Sequence, residues 1–378
     1  MPPAFFCAAL ATGSGVVVGE AAVANGASRG AGHRDAADWG NLAGFADKAI
    51  GSGAFPPVFP RFIPAPRGRT MHRSSGSPRP CPLLERDTHS EPLSAAPAPW
   101  DLRRCTETGF VYLANPPAQD RFREEFAWEV THERESHRRR RCEPLLYALS
   151  GAFKTFRQRF LRRDKMAALV GRVVRDVASG DVPGAIRLVD VGCAQGGLVV
   201  RITDRLPRSM ASRLEPIGIE ISNYLSKLAH LALRGRGGRC IHGTGIDGLG
   251  EVERGSVHVI VLSCILEHEI EPLPLLRRCR ERLALDGRIV VKVPNYACAG
   301  RRLRGGRWCG YRWPDHVNYF TPQTLAAMAR AAGLRVVRMN AFDRWPLSDS
   351  LYAVLGRDPA APPILVEAPA VAPLRKAA

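Results

Sequence analysis

Beyond residue 185 the chain alternates between two hydrophobic periods. Short apolar runs, "IRLVDV" (186–191), "PIGIEI" (216–221), "RCIHG" (239–243), "VHVIVL" (257–262), "RIVVKV" (288–293), "LRVVRM" (334–339) and "SLYAVLG" (350–356), read as strands. Between them, "SNYLSKLAHLAL" (222–233) and "PLPLLRRCRERLAL" (272–285) read as helices. Ser222 is placed to cap the first, and Asp286-Gly287 to close the second. Strand and helix in alternation predict an α/β domain over 181–356, a parallel sheet covered on both faces and doubly wound.

Upstream the pattern fades. Residues 1–95 are rich in Gly, Ala, Pro and Ser ("GSGAFPPVFPRFIPAPRGRTMHRSSGSPRP") and read as a loose, low-complexity segment. Met71 offers an alternative start, so residues 1–70 are not assumed to belong to the working protein. Residues 96–180 read as a short strand within "GFVYLANPP" (109–117), then a helical lead-in. In it, Phe122, Phe126 and Val130 recur at helical spacing behind Asp120, and "KMAALVGRVVRDVASG" stops at Gly180. The tail, 357–378, carries no pattern.

No run of about 18 apolar residues indicates a membrane span. The first residues lack the basic start of a signal peptide, and a cytoplasmic protein is expected. The formal charge of +18 brings nucleic acid into consideration. However, 48 of the 54 basic residues are Arg, a bias that genome composition produces as readily as phosphate binding. The run "HRRRRC" (137–142) follows a Glu-rich stretch and reads as a salt-bridged helix face. Nucleic acid is therefore possible as a partner but not favoured. The ten cysteines contain no C-x-x-C pair, which argues against a disulfide framework and an intact zinc ribbon.

Chemistry concentrates in "LVDVGCAQGG" (188–197). Gly192, Gly196 and Gly197 strip side chains from the turn that follows the first strand, so a ligand can reach backbone N–H groups at a helix start. The second strand ends at Glu220, where a carboxylate can accept the two hydroxyls of a ribose. Turn and acid together point to an adenosine-containing cofactor. Read as Gly192-x-Ala194-x-x-Gly197, the turn also fits a dinucleotide fingerprint, which leaves an NAD(P)-dependent oxidoreductase open. Asp190, two residues before the first glycine, favours a cationic ligand over a pyrophosphate.

"VDVGCAQGG", "IGIEIS" and "VIVLSCILEHEIEPLPLLRRCRERLALDGRIVVKVPNY" together resemble class I S-adenosylmethionine-dependent methyltransferases of the bacterial small-molecule type. The resemblance covers roughly residues 185–355 and implies a Rossmann-like sheet and S-adenosyl-L-methionine as cofactor. It implies a cofactor site of Asp190, Gly192, Cys193, Ala194, Gly196, Glu220, Ile221, Asp247 and Ser263. Thr244 stands where the family usually carries an adenine-binding acid, so Asp247 is the candidate for that contact. Some relatives begin with a four-cysteine zinc ribbon. Here Cys81 and Cys105 remain, with Leu84 and Thr108 at the partner positions, and no metal is expected there.

Methyl transfer to oxygen needs an acceptor aligned with the methyl and a base for its proton. His316 is the first candidate and His268 the second. Asn295, Tyr296, Trp308, Trp313, Asn318 and Tyr319 are candidates for the acceptor pocket. The last four lie in the insertion "GGRWCGYRWPDHVNYFTPQTL" (305–325), a loop long enough to close over a ligand. A small-molecule O-methyltransferase is the leading expectation. An RNA methyltransferase of this fold and a non-catalytic cofactor-binding partner remain as alternatives.

Overall fold

Each of the seven apolar runs forms a strand of one sheet. The computed structural model describes residues 78–118 and 164–362, apart from 181 and 183, with six helical positions, His137, Arg140, Arg141, Pro144, Ala148 and Ala152. Residues 1–77 of the low-complexity segment, the helix face at 122–130 and residues 363–378 of the tail lie outside the described residues.

Three short strands come first, β1 (Ser90–Pro92), β2 (Leu102–Cys105) and β3 (Val111–Leu113), followed by helix α1 (Lys165–Ala178). The main domain runs β4 (Ile186–Val191), α2 (Gly197–Thr203), α3 (Arg208–Ala211), β5 (Leu214–Glu220), α4 (Asn223–Arg234), β6 (Arg239–His242) and α5 (Gly245–Gly250). It continues with β7 (Val257–Ser263), α6 (Pro272–Arg282), β8 (Leu283–Pro294), α7 (Ala299–Arg304), β9 (Asn318–Tyr319), α8 (Pro322–Ala331), β10 (Leu334–Arg338) and β11 (Ser350–Arg357). The sheet order is β10-β11-β8-β7-β4-β5-β6. The strands β6, β5, β4, β7 and β8 are parallel, and β11 runs antiparallel between β8 and β10.

Both sheet faces are covered, which explains why the strands lack polar alternation. On one face α1 brings Met166, Val170, Val173, Val174 and Val177 onto Leu188, Val259 and Val290. Asp164 starts that helix by accepting from the N–H groups of Met166 and Ala167. On the other face Leu275, Leu276, Leu325 and Met328 cover Val189, Ile260 and Val291. Each such buried side chain contributes roughly 1.5–3 kcal/mol. Ser222 caps α4 as expected, accepting from Leu225 N–H at 3.3 Å. The helix α6 ends earlier than its pattern suggests, at Arg282. Asp286 and Gly287 instead lie in β8, where the pairing with β7 shifts register between Val257 and Val259. A Cβ on Gly287 would stand 2.9 Å from the Val257 carbonyl oxygen, so the glycine permits that close passage.

Residues 79–95 are not loose. Within them β1 is the first strand of a four-stranded antiparallel sheet, β1-β2-β3-β9, whose last strand comes from the 305–325 insertion. Composition cannot show this, because what holds the segment lies 191 to 239 residues away: Arg79 donates to the Ile270 and Val317 carbonyls and to Asn318 Oδ1. Cys81 and Cys105 are buried in this unit, with Thr108 Oγ1 3.9 Å from the Cys81 sulfur and Thr88 Oγ1 3.4 Å from the Cys105 sulfur.

Candidate active site

The carboxyl ends of β4 and β5 place two acids beside one bare turn. Gly192, Ala194 and Gly196 all take positive φ, at 67°, 49° and 77°. At Gly192 a Cβ would stand 2.1 Å from Ile265 Cδ1, so only glycine leaves the turn open. Glu220 pins the turn from the next strand: one carboxylate oxygen accepts from Ala194 N–H at 2.8 Å, the other from Ser222 N–H at 2.9 Å. Asp190 is 2% exposed. Burial, then the neighbouring Glu220 charge, push its carboxyl up to about 7. Two buried carboxylates this close favour a ligand that brings positive charge and hydroxyl donors.

Cys193 lies under the same turn, its sulfur 3.7 Å from that of Cys240 on β6. They meet across Gly218 of the intervening β5, where a Cβ would stand 2.6 Å from the Cys193 sulfur. Ile221 follows Glu220, and its carbonyl oxygen lies 3.1 Å from His242 Nε2. Ser263 ends β7 beside this corner. Asp247 is exposed and turned to Thr244, whose hydroxyl donates to it at 2.7 Å and caps α5.

A second cluster follows β7. One donor atom from each of Glu267, His268 and His316 lies within 4.8 Å of the others. Glu267 is 1% exposed, and neither of its oxygens has a hydrogen-bond partner. Burial pushes its carboxyl up to about 7; its own backbone N–H, the charges of Lys292 and Arg312 and the Cys264 thiol lie near enough to offset part of that shift without making a well-formed hydrogen bond. His268 and His316 meet edge to face, ring centroids 4.7 Å apart. Their Nδ1 atoms lie 2.9 and 2.8 Å from the carbonyl oxygens of Asp315 and Gly310, contacts that require Nδ1–H and leave Nε2 as the lone-pair atom. Burial lowers the basicity of both rings, and His316 falls well below the ordinary imidazole value. Ile265 joins the two clusters, packing on Gly192 and accepting from His268 N–H at 2.9 Å.

Residues 135–339 match the family described as a methyltransferase domain. The chain belongs to that family. The protein is a class I S-adenosylmethionine-dependent methyltransferase. A curated relative, the ubiquinone biosynthesis O-methyltransferase of Cupriavidus pinatubonensis, is 27% identical over 179 residues, 46% of this chain and 68% of that protein. Among solved structures, the CurJ carbon methyltransferase is 17% identical, covering 64% of this chain and 72% of its own, with a TM-score of 0.42. The [4+2]-cyclase SpnF is 19% identical, covering 49% and 79%, with a TM-score of 0.36.

Within the methyltransferase domain the acceptor-side candidates Trp308, Tyr296, Asn295, Asn318 and Tyr319 are all buried and make scaffold contacts. Trp308 donates its indole N–H to Asp349 at 2.8 Å, and Asn295 accepts from Ala297 N–H at 3.1 Å. Tyr296 lies beneath the Arg301 guanidinium at 4.1 Å and contacts Tyr311 through the hydroxyls at 3.3 Å. Asn318 donates to the carbonyls of Leu266 and Glu269, and Tyr319 donates to the carbonyl of His316 at 2.9 Å. Trp313, half-buried, stacks on Tyr311 with ring centroids 5.2 Å apart. These residues build the pedestal under Glu267, His268 and His316. Sequence reasoning missed Glu267, although "LEH" placed it beside His268. It also missed Arg79, whose burial lowers its guanidinium to about 9. A groove of about 780 Å³ lined by Gly184, Arg213 and Gly237 lies at the amino ends of β4 and β5, away from both clusters.

Proposed function

We propose that this methyltransferase transfers a methyl group to a hydroxyl oxygen of a small-molecule acceptor. The observation that carries the reading is the pair of buried acids flanking the bare turn, Asp190 and Glu220, beside the donor cluster of Glu267, His268 and His316. When bound, S-adenosylmethionine supplies an electrophilic methyl on a cationic sulfur. Glu220 would accept the ribose hydroxyls, and Asp190 would lie toward the methionine half, where a positive ligand relieves the crowding of two carboxylates. Gly192 and Gly196 would let the backbone approach the ligand, and Ser263 and Ile221 would border it. Asp247, directed to Thr244, would border the adenine at most, leaving that ring to packing.

The acceptor hydroxyl would be made nucleophilic at Glu267, His268 and His316, where three electron-pair donors converge. Partial exposure of His268 supports this side of the cleft as the entry for the acceptor. The relative's name, an O-methyltransferase, supports oxygen as the accepting atom. Many arginines of the domain are spent internally, Arg187 on Glu215, Arg236 on Asp204, Arg304 on Asp349 and Arg338 on Asp343, which favours a small acceptor over RNA. Family membership displaces the dinucleotide-dependent oxidoreductase. The test is incubation with methyl-labelled S-adenosylmethionine and a small-molecule extract, comparing the protein with His316→Ala. A labelled small product absent from the variant supports the reading; label in RNA alone, or none despite cofactor binding, overturns it.

A further inference from the structure

We propose that Glu267, His268 and His316 form a binding site for one divalent transition-metal ion, which holds the acceptor oxygen during methyl transfer. The role rests on the reading above; the existence of the site does not.

Three observations converge on it. The donor set is two imidazoles and one carboxylate, with one donor atom of each inside a 4.8 Å span, so modest side-chain rotation brings them to metal-binding separations. Glu267 is the second. A carboxylate 1% exposed with both oxygens unpartnered is costly to keep, and an ion bound there satisfies it. The third is the outer arrangement of the rings. Each histidine spends its Nδ1 proton on a backbone carbonyl, His268 on Asp315 at 2.9 Å and His316 on Gly310 at 2.8 Å, which fixes the tautomer that presents Nε2. Metal-binding histidines are oriented by such contacts. The carbonyls belong to the rigid pedestal, where Tyr319 holds the His316 carbonyl and Asn318 holds those of Leu266 and Glu269. The nearby Arg312 guanidinium is drawn to Asp315 at 2.8 Å.

Three protein ligands leave coordination positions open, as a catalytic rather than a structural site requires. Nitrogen with oxygen donors selects the zinc, cobalt, iron or manganese class over magnesium or calcium. A hydroxyl taken up at an open position would lose its proton to solvent more readily. The acceptor oxygen then forms a bond to the methyl carbon as the carbon–sulfur bond breaks, and sulfur keeps the electron pair.

The probe is Co²⁺ added to tag-free, full-length protein stripped with a chelator, with its visible d–d absorption and a calorimetric titration as readouts. S-adenosylhomocysteine binding is measured in parallel on every sample. The expected result is one Co²⁺ per chain, displaced by Zn²⁺, with Glu267→Gln and His316→Gln each weakening binding by at least ~100-fold. The partly exposed His268→Gln serves as the third variant should either buried change fail to fold. Absence of stoichiometric Co²⁺ binding, or binding unaltered in the folded variants, overturns the metal site. If S-adenosylhomocysteine binding persists in that case, the methyltransferase reading stands without it. Co²⁺ binding without S-adenosylhomocysteine binding supports the site and removes its proposed role.

Discussion

Glu220, at the end of one strand, accepts a hydrogen bond at 2.8 Å from the backbone N–H of Ala194, in the turn after its neighbour. The acid therefore builds the glycine turn, and under the proposed function it also meets the cofactor. Glu220→Gln keeps the shape but replaces one acceptor with a donor opposite an N–H. The expected cost is about 2 kcal/mol of stability, by analogy with other hydrogen bonds to charged groups. S-adenosylhomocysteine affinity is expected to fall with it. Urea unfolding and calorimetry check this, and unchanged values in both would contradict the dual role.

Gly192→Ala is expected to be worse for the ligand than its size suggests. Its φ of 67° costs a side chain roughly 1–2 kcal/mol, and the new methyl would overlap Ile265. Ala194, at φ 49°, already carries that strain. Ala194→Gly should leave stability within ~1 kcal/mol of the original, since relief of strain opposes the added freedom of the unfolded chain. Thermal unfolding of both variants separates the two cases. Equal losses would contradict the assignment of Gly192 as the closer approach.

Asp190 gives the ligand-free protein a pH signature. Its carboxyl, raised to about 7 by burial and by Glu220, holds a proton more tightly folded than unfolded. The resulting stability is present below the ordinary carboxylate range and is lost as pH rises through about 7. Melting temperature without cofactor is expected to decline between pH 5 and pH 8, and the shift produced by the cationic cofactor to grow over the same window. Asp190→Asn should make both trends shallower, the buried carboxyls of Glu267 and Glu269, also raised to about 7, keeping part of the decline in melting temperature. Identical slopes in the variant would remove Asp190 from the cofactor site.

Arg79 is the tie between the small sheet and the donor cluster. Truncating it to Ala removes the donor to the Ile270 carbonyl and the Asn318 oxygen, while the Val317 carbonyl keeps Leu113 N–H at 2.9 Å, at a cost of about 3 kcal/mol. Turnover is expected to suffer more than cofactor affinity, because the residues it holds follow β7 on the acceptor side. Comparable turnover with lower stability alone would reduce Arg79 to a purely structural part.

What could be read from the chain were features written locally. The run 186–191 ends in Asp190 and glycine within a few positions, and Glu220 closes the next apolar run, so strand ends and acids were legible together. The start of α8 is equally local, Thr321 and Thr324 forming its capping box with Pro322 at the first helical position. The pedestal was not legible, because Val111 pairs with Tyr319 across the whole domain. Polar aromatics in a long loop resemble a pocket wall until their partners, such as Asp349 for Trp308, are known. Glu267 escaped for the opposite reason: its character lies in the lack of a partner, which no sequence pattern encodes.

The most direct measurement is equilibrium binding of S-adenosylhomocysteine and of NAD to the full chain and to its Asp190→Ala, Glu220→Ala double variant. One S-adenosylhomocysteine per chain, no saturable NAD binding, and loss of the S-adenosylhomocysteine site in a double variant that still unfolds cooperatively are the expected results. Binding of NAD alone, or S-adenosylhomocysteine affinity unaltered without the two acids, would contradict the account.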